Sequence, residues 1–201
     1  MIKHFIFDLG RVLVNVDLKP FIYQFSKAFK IEPDALTQNE NNDAYLDFQI
    51  GKINGEEFHK ITCEHFKQPV PLEQFKDIWS SMLGGEVEGT AEIVNKLVEK
   101  NYILSLLSNT DPWHYQYCEK MIPVLQIFEK IFLSYELKMR KPDANIFLTV
   151  SEKLSTTPEQ CLFIDDLEEN IEAAKGLNFH TVLFQHSDQL RNELREKGFE
   201  F

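Results

Sequence analysis

Five short apolar runs constrain the fold of this 201-residue chain more than any other feature of its sequence. They are Phe5–Phe7, Ile103–Leu107, Ile131–Leu133, Leu162–Ile164 and Thr181–Phe184. A parallel sheet that is covered by helices on both faces needs near-continuous apolar strands of this kind. Helical patterns separate the later runs, and strands that alternate with helices indicate an α/β doubly wound core.

Residues 16–86 follow a different pattern, because helical spacing replaces the apolar runs there. Helices are predicted at Pro20–Phe29, Asp43–Ile50, Glu56–Phe66 and Leu72–Met82. We predict no strand in this range, so the first strand is followed by an all-helical insert. The helix at Asp43–Ile50 is interpreted as a mixed surface and packing helix, although one of its faces could line a cleft.

Composition excludes several classes of protein. A net charge of −11 argues against a nucleic-acid-binding protein, because phosphate contacts need a basic face. No stretch approaches the roughly 18 apolar residues of a membrane span, and the amino terminus does not resemble a signal peptide. The three cysteines, Cys63, Cys118 and Cys161, are few and widely spaced. We therefore expect reduced thiols in a cytoplasmic protein.

Polar clusters follow four of the apolar runs, where a parallel sheet would deliver catalytic groups. They are Asp8, Ser108–Asn109, Arg140–Lys141 and Asp165–Asp166. Each cluster alone has a simpler explanation, since aspartates and serines after strands are commonly turn formers or helix caps and a lysine is commonly solvated. Four such clusters at corresponding strand ends favour one site instead.

This set of residues suits phosphoryl transfer. Three carboxylates at one point would repel each other unless a hard cation lay among them, and Mg²⁺ prefers oxygen ligands. A hydroxyl group, backbone N–H groups and a lysine would bind the remaining phosphoryl oxygens. Asp8 could then attack phosphorus and form an acyl phosphate, which splits the reaction into two easier steps.

The four clusters resemble, in order, the four motifs of the haloacid dehalogenase (HAD) superfamily. The matching segments are Phe7–Leu13, Leu106–Asn109, Arg140–Asp143 with Ile146–Phe147, and Phe163–Asn170. The resemblance covers nearly the whole chain. It implies a Rossmann-like, three-layer core of residues 1–15 and 87–201, with a small helical cap of residues 16–86 inserted after the first strand.

The resemblance also implies a role for each residue. Asp8 would be the nucleophile and Lys141 would neutralise the developing charge. Ser108 and Asn109 would hold phosphate, and Arg11 would either contact a substrate anion or remain solvated. The Mg²⁺ ligands would be Asp8, the Gly10 carbonyl, Asp165 and Asp166.

One position departs from the family pattern. Phosphatases of this superfamily usually carry a second aspartate two residues after the nucleophile, and Gly10 occupies that position here. Loss of a general acid/base typically costs about 10²–10⁴ in rate. The Asp-Leu-Gly form is similar to a subgroup of the family that includes α-D-glucose-1-phosphate phosphatase, whose substrate has a less basic leaving oxygen.

The expected function is therefore Mg²⁺-dependent hydrolysis of a small phosphorylated metabolite, with a sugar phosphate as the favoured class. Two alternatives stay open, a 2-haloacid dehalogenase and a phosphate-binding regulator that has lost catalysis. A dehalogenase needs no metal, so it would leave Asp165 and Asp166 without a purpose. We expect a monomer or a homodimer.

Overall fold

The computed structural model describes residues 1–37 and 43–199 of the chain. Its strands are β1 (His4–Phe7), β2 (Val14–Val16), β3 (Leu83–Glu86), β4 (Ile103–Ser108), β5 (Lys130–Leu133), β6 (Cys161–Asp165) and β7 (His180–Leu183). Its α-helices are α1 (Leu18–Phe29), α2 (Pro33–Thr37), α3 (Asp43–Gln49), α4 (Gly55–Phe66), α5 (Leu72–Ser80), α6 (Thr90–Glu99), α7 (Pro112–Met121), α8 (Ser134–Leu137), α9 (Ala144–Lys153), α10 (Glu168–Gly176) and α11 (Ser187–Glu196).

Five strands form one parallel sheet in the order β5-β4-β1-β6-β7. Each of the five apolar runs coincides with one of these strands, apart from Phe184, which follows β7, so the predicted α/β fold with a Rossmann-like core is confirmed. The central strand β1 pairs with β4 on one side and with β6 on the other. Phe7 is opposite both Leu106 and Ile164, so the three central strands end at nearly the same level.

Helices cover both faces of this sheet, which is why its strands are mainly apolar. Phe5 and Phe7 belong to one buried cluster, which includes apolar residues of α6, α7 and α11. Ile6, which points to the opposite face, belongs to a second cluster with residues of α9 and α10. Buried Ser105 within β4 is an exception, and the polar side chains of the site lie where the strands end.

The insert after β1 has an apolar cluster of its own, made mainly of aromatic residues from α1, α3, α4 and α5: Phe25, Phe29, Phe48, Phe58, Phe75 and Trp79. Helix caps fix where some of these helices begin. Asp17 accepts from Lys19 N at 3.0 Å before α1, and Asn54 and Glu57 form a capping box at α4. Residues 16–86 remain our proposal for a cap domain, and residues 38–42 of that range lie outside the described residues.

The prediction of no strand in residues 16–86 was wrong. Strand β3 pairs antiparallel with β2, at the junction of the insert and the core. Its two central residues, Gly84 and Gly85, have low strand propensity, so the local sequence favours a break between helices there. Tertiary pairing overrides that propensity, and Asn15 Nδ2 adds side-chain bonds to Gly85 O at 3.1 Å and Glu86 O at 2.8 Å.

Within the described part of the chain, no helix is both long enough and apolar enough to cross a membrane.

Candidate active site

The carboxyl edge of the sheet brings together three of the predicted site residues. Asp8 follows β1 directly, Ser108 is the last residue of β4, and Asp165 is the last residue of β6. The backbone N–H of Asp8 still donates to Ile164 O at 2.9 Å, so the strand pairing continues up to the carboxylate. All three side chains are buried, at 8%, 3% and 0% exposure respectively.

Lys141 reaches this edge from the loop that follows α8. Its Nζ donates to Asp8 Oδ1 at 2.6 Å, to Asp165 Oδ2 at 2.6 Å and to Leu107 O at 2.9 Å. An ammonium group has three hydrogens, so all three are engaged. The side chain is 1% exposed, which rules out the interpretation of Lys141 as a solvated lysine.

Asn109 fixes the backbone of Lys141. Its Nδ2 donates to Lys141 O at 2.8 Å, and Lys141 N donates to Asn109 Oδ1 at 2.8 Å. The side-chain amide is therefore committed to the protein. Ser108 differs, because its hydroxyl makes no hydrogen bond with any other described residue. A phosphate role for this loop would fall to the Ser108 hydroxyl and the Asn109 backbone N–H.

Asp165 is held rigidly by neighbours on both oxygens. Its Oδ1 accepts from Leu167 N at 2.9 Å and from Asn170 Nδ2 at 3.0 Å, and Oδ2 accepts from Lys141. Asn170 was not assigned a role from the sequence. The sequence does offer a signal for a role of Asn170. It lies five residues after Asp165, near the start of the helix that follows β6.

The three carboxylates could hold a metal ion. One oxygen each from Asp8, Asp165 and Asp166 lies within 4.8 Å of the others. A cluster of hard oxygen ligands, two of them on buried residues, fits Mg²⁺. Gly10 follows Asp8 by two residues on the adjoining turn, where Gly10 pairs with Val14 in an isolated bridge. The predicted Mg²⁺ ligands thus come from two neighbouring strand ends.

Arg11 contacts one of these carboxylates. Its Nη1 lies 3.4 Å from Asp166 Oδ2, and the arginine side chain is 52% exposed. Arg11 adopts a left-handed backbone conformation, with φ of 57°. The interpretation of Arg11 as simply solvated is therefore incomplete, because its charge lies against a predicted metal ligand. A contact with a substrate anion remains a proposal.

Burial dominates the electrostatics of the site. It raises the pKa of Asp8 to about 7, against the opposing effect of the Lys141 charge, and the nearby Asp165 carboxylate adds to the rise. Burial also raises the pKa of Asp166, with a further rise from Asp165. For Lys141, burial lowers the pKa, but Asp8 and Asp165 together outweigh it, so the net pKa is raised. The site therefore favours an added cation.

The insert meets the core beside this site through contacts that the sequence did not reveal. Ser134 Oγ donates to Gln49 O at 2.6 Å and accepts from Thr110 N at 3.0 Å. Gln49 Nε2 lies 3.4 Å from Asn109 O. Phe48 is buried in the insert, as expected for a packing helix, but its neighbour Gln49 touches the loop at Ser108 and Asn109, which is named the phosphate loop for its predicted role. No sequence pattern marked Ser134.

A second junction is a buried polar network on α5 and α7. Asp111 accepts from Trp79 Nε1 at 3.0 Å, and His114 Nδ1 lies 2.9 Å from the same Asp111 oxygen. His114 Nε2 donates to Trp79 O at 2.8 Å. His114 is therefore a structural histidine, since it is 7% exposed with both ring nitrogens engaged.

The sequence is similar to those of known proteins. The sequence pattern of the family described as haloacid dehalogenase-like hydrolase matches residues 5–184. The chain is 28% identical over 206 residues to D-ribitol-5-phosphate phosphatase of Bacteroides thetaiotaomicron, covering 96% of this chain and 97% of that protein.

Solved structures agree. The HAD family enzyme BT-2542 of Bacteroides thetaiotaomicron, in complex with magnesium and inorganic phosphate, has a TM-score of 0.83 and 31% identity. That match covers 92% of this chain and 96% of the other. A HAD-like family hydrolase of Porphyromonas gingivalis has a TM-score of 0.87 and 25% identity, with both chains fully covered.

Proposed function

The chain belongs to the haloacid dehalogenase-like hydrolase family, and on that premise we propose that it is a Mg²⁺-dependent phosphatase acting on small phosphomonoesters through an aspartyl phosphate on Asp8. One observation carries the proposal. The Nζ of buried Lys141 lies 2.6 Å from a carboxylate oxygen of Asp8 and 2.6 Å from one of Asp165, the residue before Asp166. This arrangement combines a nucleophile, a fixed positive charge and a carboxylate set for a cation.

In the proposed first step, a carboxylate oxygen of Asp8 attacks phosphorus. The new bond joins Asp8 to the phosphoryl group, and the bond from phosphorus to the leaving oxygen breaks. The Ser108 hydroxyl and the Asn109 N–H hold phosphoryl oxygens, while Lys141 neutralises charge near Asp8. Water then cleaves the acyl phosphate and restores the Asp8 carboxylate.

Asp8, Asp165, Asp166 and the Gly10 carbonyl would hold Mg²⁺. When bound, the ion supplies charge neutralisation and orientation of the phosphoryl group. The likeness to BT-2542, which was solved with magnesium and inorganic phosphate, supports this choice of metal. The raised pKa of Asp8 gives a second reason, since a cation nearby would favour the ionised nucleophile.

Because position 10 is a glycine, it offers no side chain to protonate the leaving oxygen. Gly10 cannot donate a proton, so the proposed reaction favours leaving groups that need little assistance, or uses a solvent proton. A sugar phosphate is the proposed substrate class. The similarity to D-ribitol-5-phosphate phosphatase and to the Phosphorylated carbohydrates phosphatase of Thermotoga maritima supports a carbohydrate-derived leaving group.

Both alternatives are weaker explanations of the site. A 2-haloacid dehalogenase needs no cation, and it would have no use for Asp166 beside two buried carboxylates. A regulator without turnover would need no nucleophile, whereas Asp8 stands at the strand end in contact with the Lys141 ammonium group. A cytoplasmic location and a monomeric or homodimeric state are further proposals. The free thiols of Cys63, Cys118 and Cys161 support the former.

A substrate screen with excess Mg²⁺ or with excess chelator tests the function. The panel should hold an aryl phosphate, sugar phosphates, polyol phosphates, nucleotides and 2-haloacids. We expect phosphate release that requires Mg²⁺. Equal rates in chelator, or halide release without phosphate release, would refute the phosphatase proposal.

A further inference from the structure

Gln49 carries an unpaired polar atom beside the phosphate loop. It is the last residue of α3 and is 5% exposed. Its Nε2 lies 2.8 Å from the Tyr45 hydroxyl oxygen and 3.4 Å from Asn109 O. Its Oε1 is buried and accepts no hydrogen bond from any described residue. A buried amide carbonyl without a donor is costly, so this atom needs an explanation.

The orientation of this amide is fixed rather than incidental. Asn109 O can only accept a hydrogen bond, so the nitrogen of the Gln49 amide must face it and the oxygen must face elsewhere. The backbone of Gln49 is also anchored to the core, since Ser134 Oγ donates to Gln49 O at 2.6 Å. Exchanging the two ends of the amide would place its nitrogen at the unpaired position and its oxygen 3.4 Å from Asn109 O, so one end of the amide lacks a partner in either orientation.

An unpaired donor lies beside this acceptor. The Tyr45 hydroxyl oxygen accepts from Gln49 Nε2 at 2.8 Å, and its own hydrogen has no acceptor among the described residues. Tyr45 and Gln49 are four residues apart on α3, so their side chains lie on the same face of that helix. One acceptor and one donor thus lie at the border of the insert and the site.

We propose that Gln49 Oε1 and the Tyr45 hydroxyl bind hydroxyl groups of the leaving alcohol, and so select polyhydroxylated phosphates over alkyl phosphates. A hydroxyl group both donates and accepts, so neighbouring hydroxyls of a polyol or sugar satisfy Gln49 and Tyr45 together. An alkyl chain would leave both atoms unpaired, and sites built to bind hydroxyls reject such analogues strongly. This inference rests on the proposed phosphatase function.

The test compares D-ribitol 5-phosphate with n-pentyl phosphate, which has the same carbon chain without free hydroxyls. We expect the wild-type protein with Mg²⁺ to prefer the ribitol ester in kcat/KM by about 100-fold or more. Gln49→Leu should reduce that preference about tenfold, and Tyr45→Phe should reduce it about fivefold. The matched control is Gln74→Leu at an exposed glutamine of α5, which should leave the preference unchanged.

The outcomes separate this inference from the function on which it rests. A wild-type protein that cleaves both esters equally well refutes the inference and leaves the phosphatase function intact. An equal loss of kcat/KM on both esters in Gln49→Leu also refutes the inference, because a merely structural role would lower both rates alike. A wild-type protein that cleaves neither ester nor an aryl phosphate removes the function and the inference together. Melting temperatures of both variants establish that they are folded.

Discussion

The ammonium group of Lys141 donates to Asp8 Oδ1 at 2.6 Å, and the two residues are 133 positions apart in the chain. The same nitrogen lies 2.6 Å from Asp165 Oδ2. Lys141 thus links the end of β1 to the end of β6, and it offsets part of the charge of a carboxylate cluster. Both the proposed chemistry and the stability of the metal-free protein depend on this link.

Asp8→Asn should abolish turnover, because an amide is a poor nucleophile and cannot form the acyl phosphate. We expect a loss in kcat of about 10³-fold or more. The measurement is Mg²⁺-dependent phosphate release, together with thermal melting. Asp77→Asn, at an exposed position on α5, is the control. A variant that retains a tenth of the rate would show that Asp8 is not the nucleophile.

Lys141→Met should destabilise the metal-free protein, because it leaves two buried carboxylates without their positive partner. The expected loss in the free energy of unfolding is about 3 kcal/mol. Saturating Mg²⁺ should recover part of the loss, since the ion would replace the missing charge. Denaturant unfolding with and without Mg²⁺ measures both effects.

The control for this variant is Lys175→Met, which removes an exposed lysine paired with the exposed Glu172. That change should cost little at either Mg²⁺ concentration. If Lys141→Met were as stable as the control, the buried link would contribute nothing, contrary to the geometry.

Gly10→Asp should raise the rate on poor leaving groups by about 10–100-fold if the missing acid limits catalysis. The structure has room for it, since a Cβ at Gly10 would meet only Val16 Cγ2, at 3.7 Å. The assay compares an alkyl phosphate with an aryl phosphate, whose leaving group needs less protonation. Gly85→Asp is the control, because a Cβ there meets nothing within 4 Å. No gain in a folded Gly10→Asp protein would mean that another group supplies the proton.

Arg11→Ala should strengthen Mg²⁺ binding, because the guanidinium competes with the cation for Asp166. The pair is partly exposed, so the effect should be modest, about twofold to fivefold in Kd. Calorimetric titration of Mg²⁺ without substrate measures it directly. An unchanged or weaker Mg²⁺ affinity would contradict competition at Asp166. A separate rise in KM would support a contact between Arg11 and the substrate anion.

Stability should depend on pH through the buried pair of His114 and Asp111. Burial lowers the pKa of His114, but the Asp111 carboxylate and hydrogen bonds outweigh it, so the net pKa is raised above 6.5. The stabilisation from His114 is therefore complete below pH 6.5 and is lost as the pH rises through the raised value. For Asp111, burial acts upward but His114 and its hydrogen bonds lower the net pKa below 3.8. Its contribution is present above pH 3.8 and is lost as the pH falls through the lowered value.

The measurement for this pair is the free energy of unfolding across pH 4 to 9. His114→Gln should flatten the decline above pH 6.5, whereas His180→Gln, at an exposed histidine of β7, should not. An identical decline in wild type and His114→Gln would assign the pH dependence to other groups.

The sheet and most of the polar clusters at its edge could be predicted from the amino-acid sequence. Apolar runs such as Phe5–Phe7 and Leu162–Ile164 are local signals, because a strand buried on both faces must be apolar throughout. The positions of Asp8, Ser108 and Asp165 then follow from the ends of those strands. Strand β3 was missed because its glycines carry no local signal, and its pairing with β2 supplies what propensity lacks.

The partners of the side chains in the site, by contrast, depend on how the chain packs in three dimensions. Nothing local shows that Asn109 is committed to the backbone of Lys141, that Arg11 lies against Asp166, or that Gln49 reaches the phosphate loop. Gln49 and Asn109 are 60 positions apart, and Lys141 and Asp8 are 133 positions apart. Hydrogen bonds and charge contacts act over a few ångströms, so partners so distant in the chain are set by packing rather than by any sequence pattern.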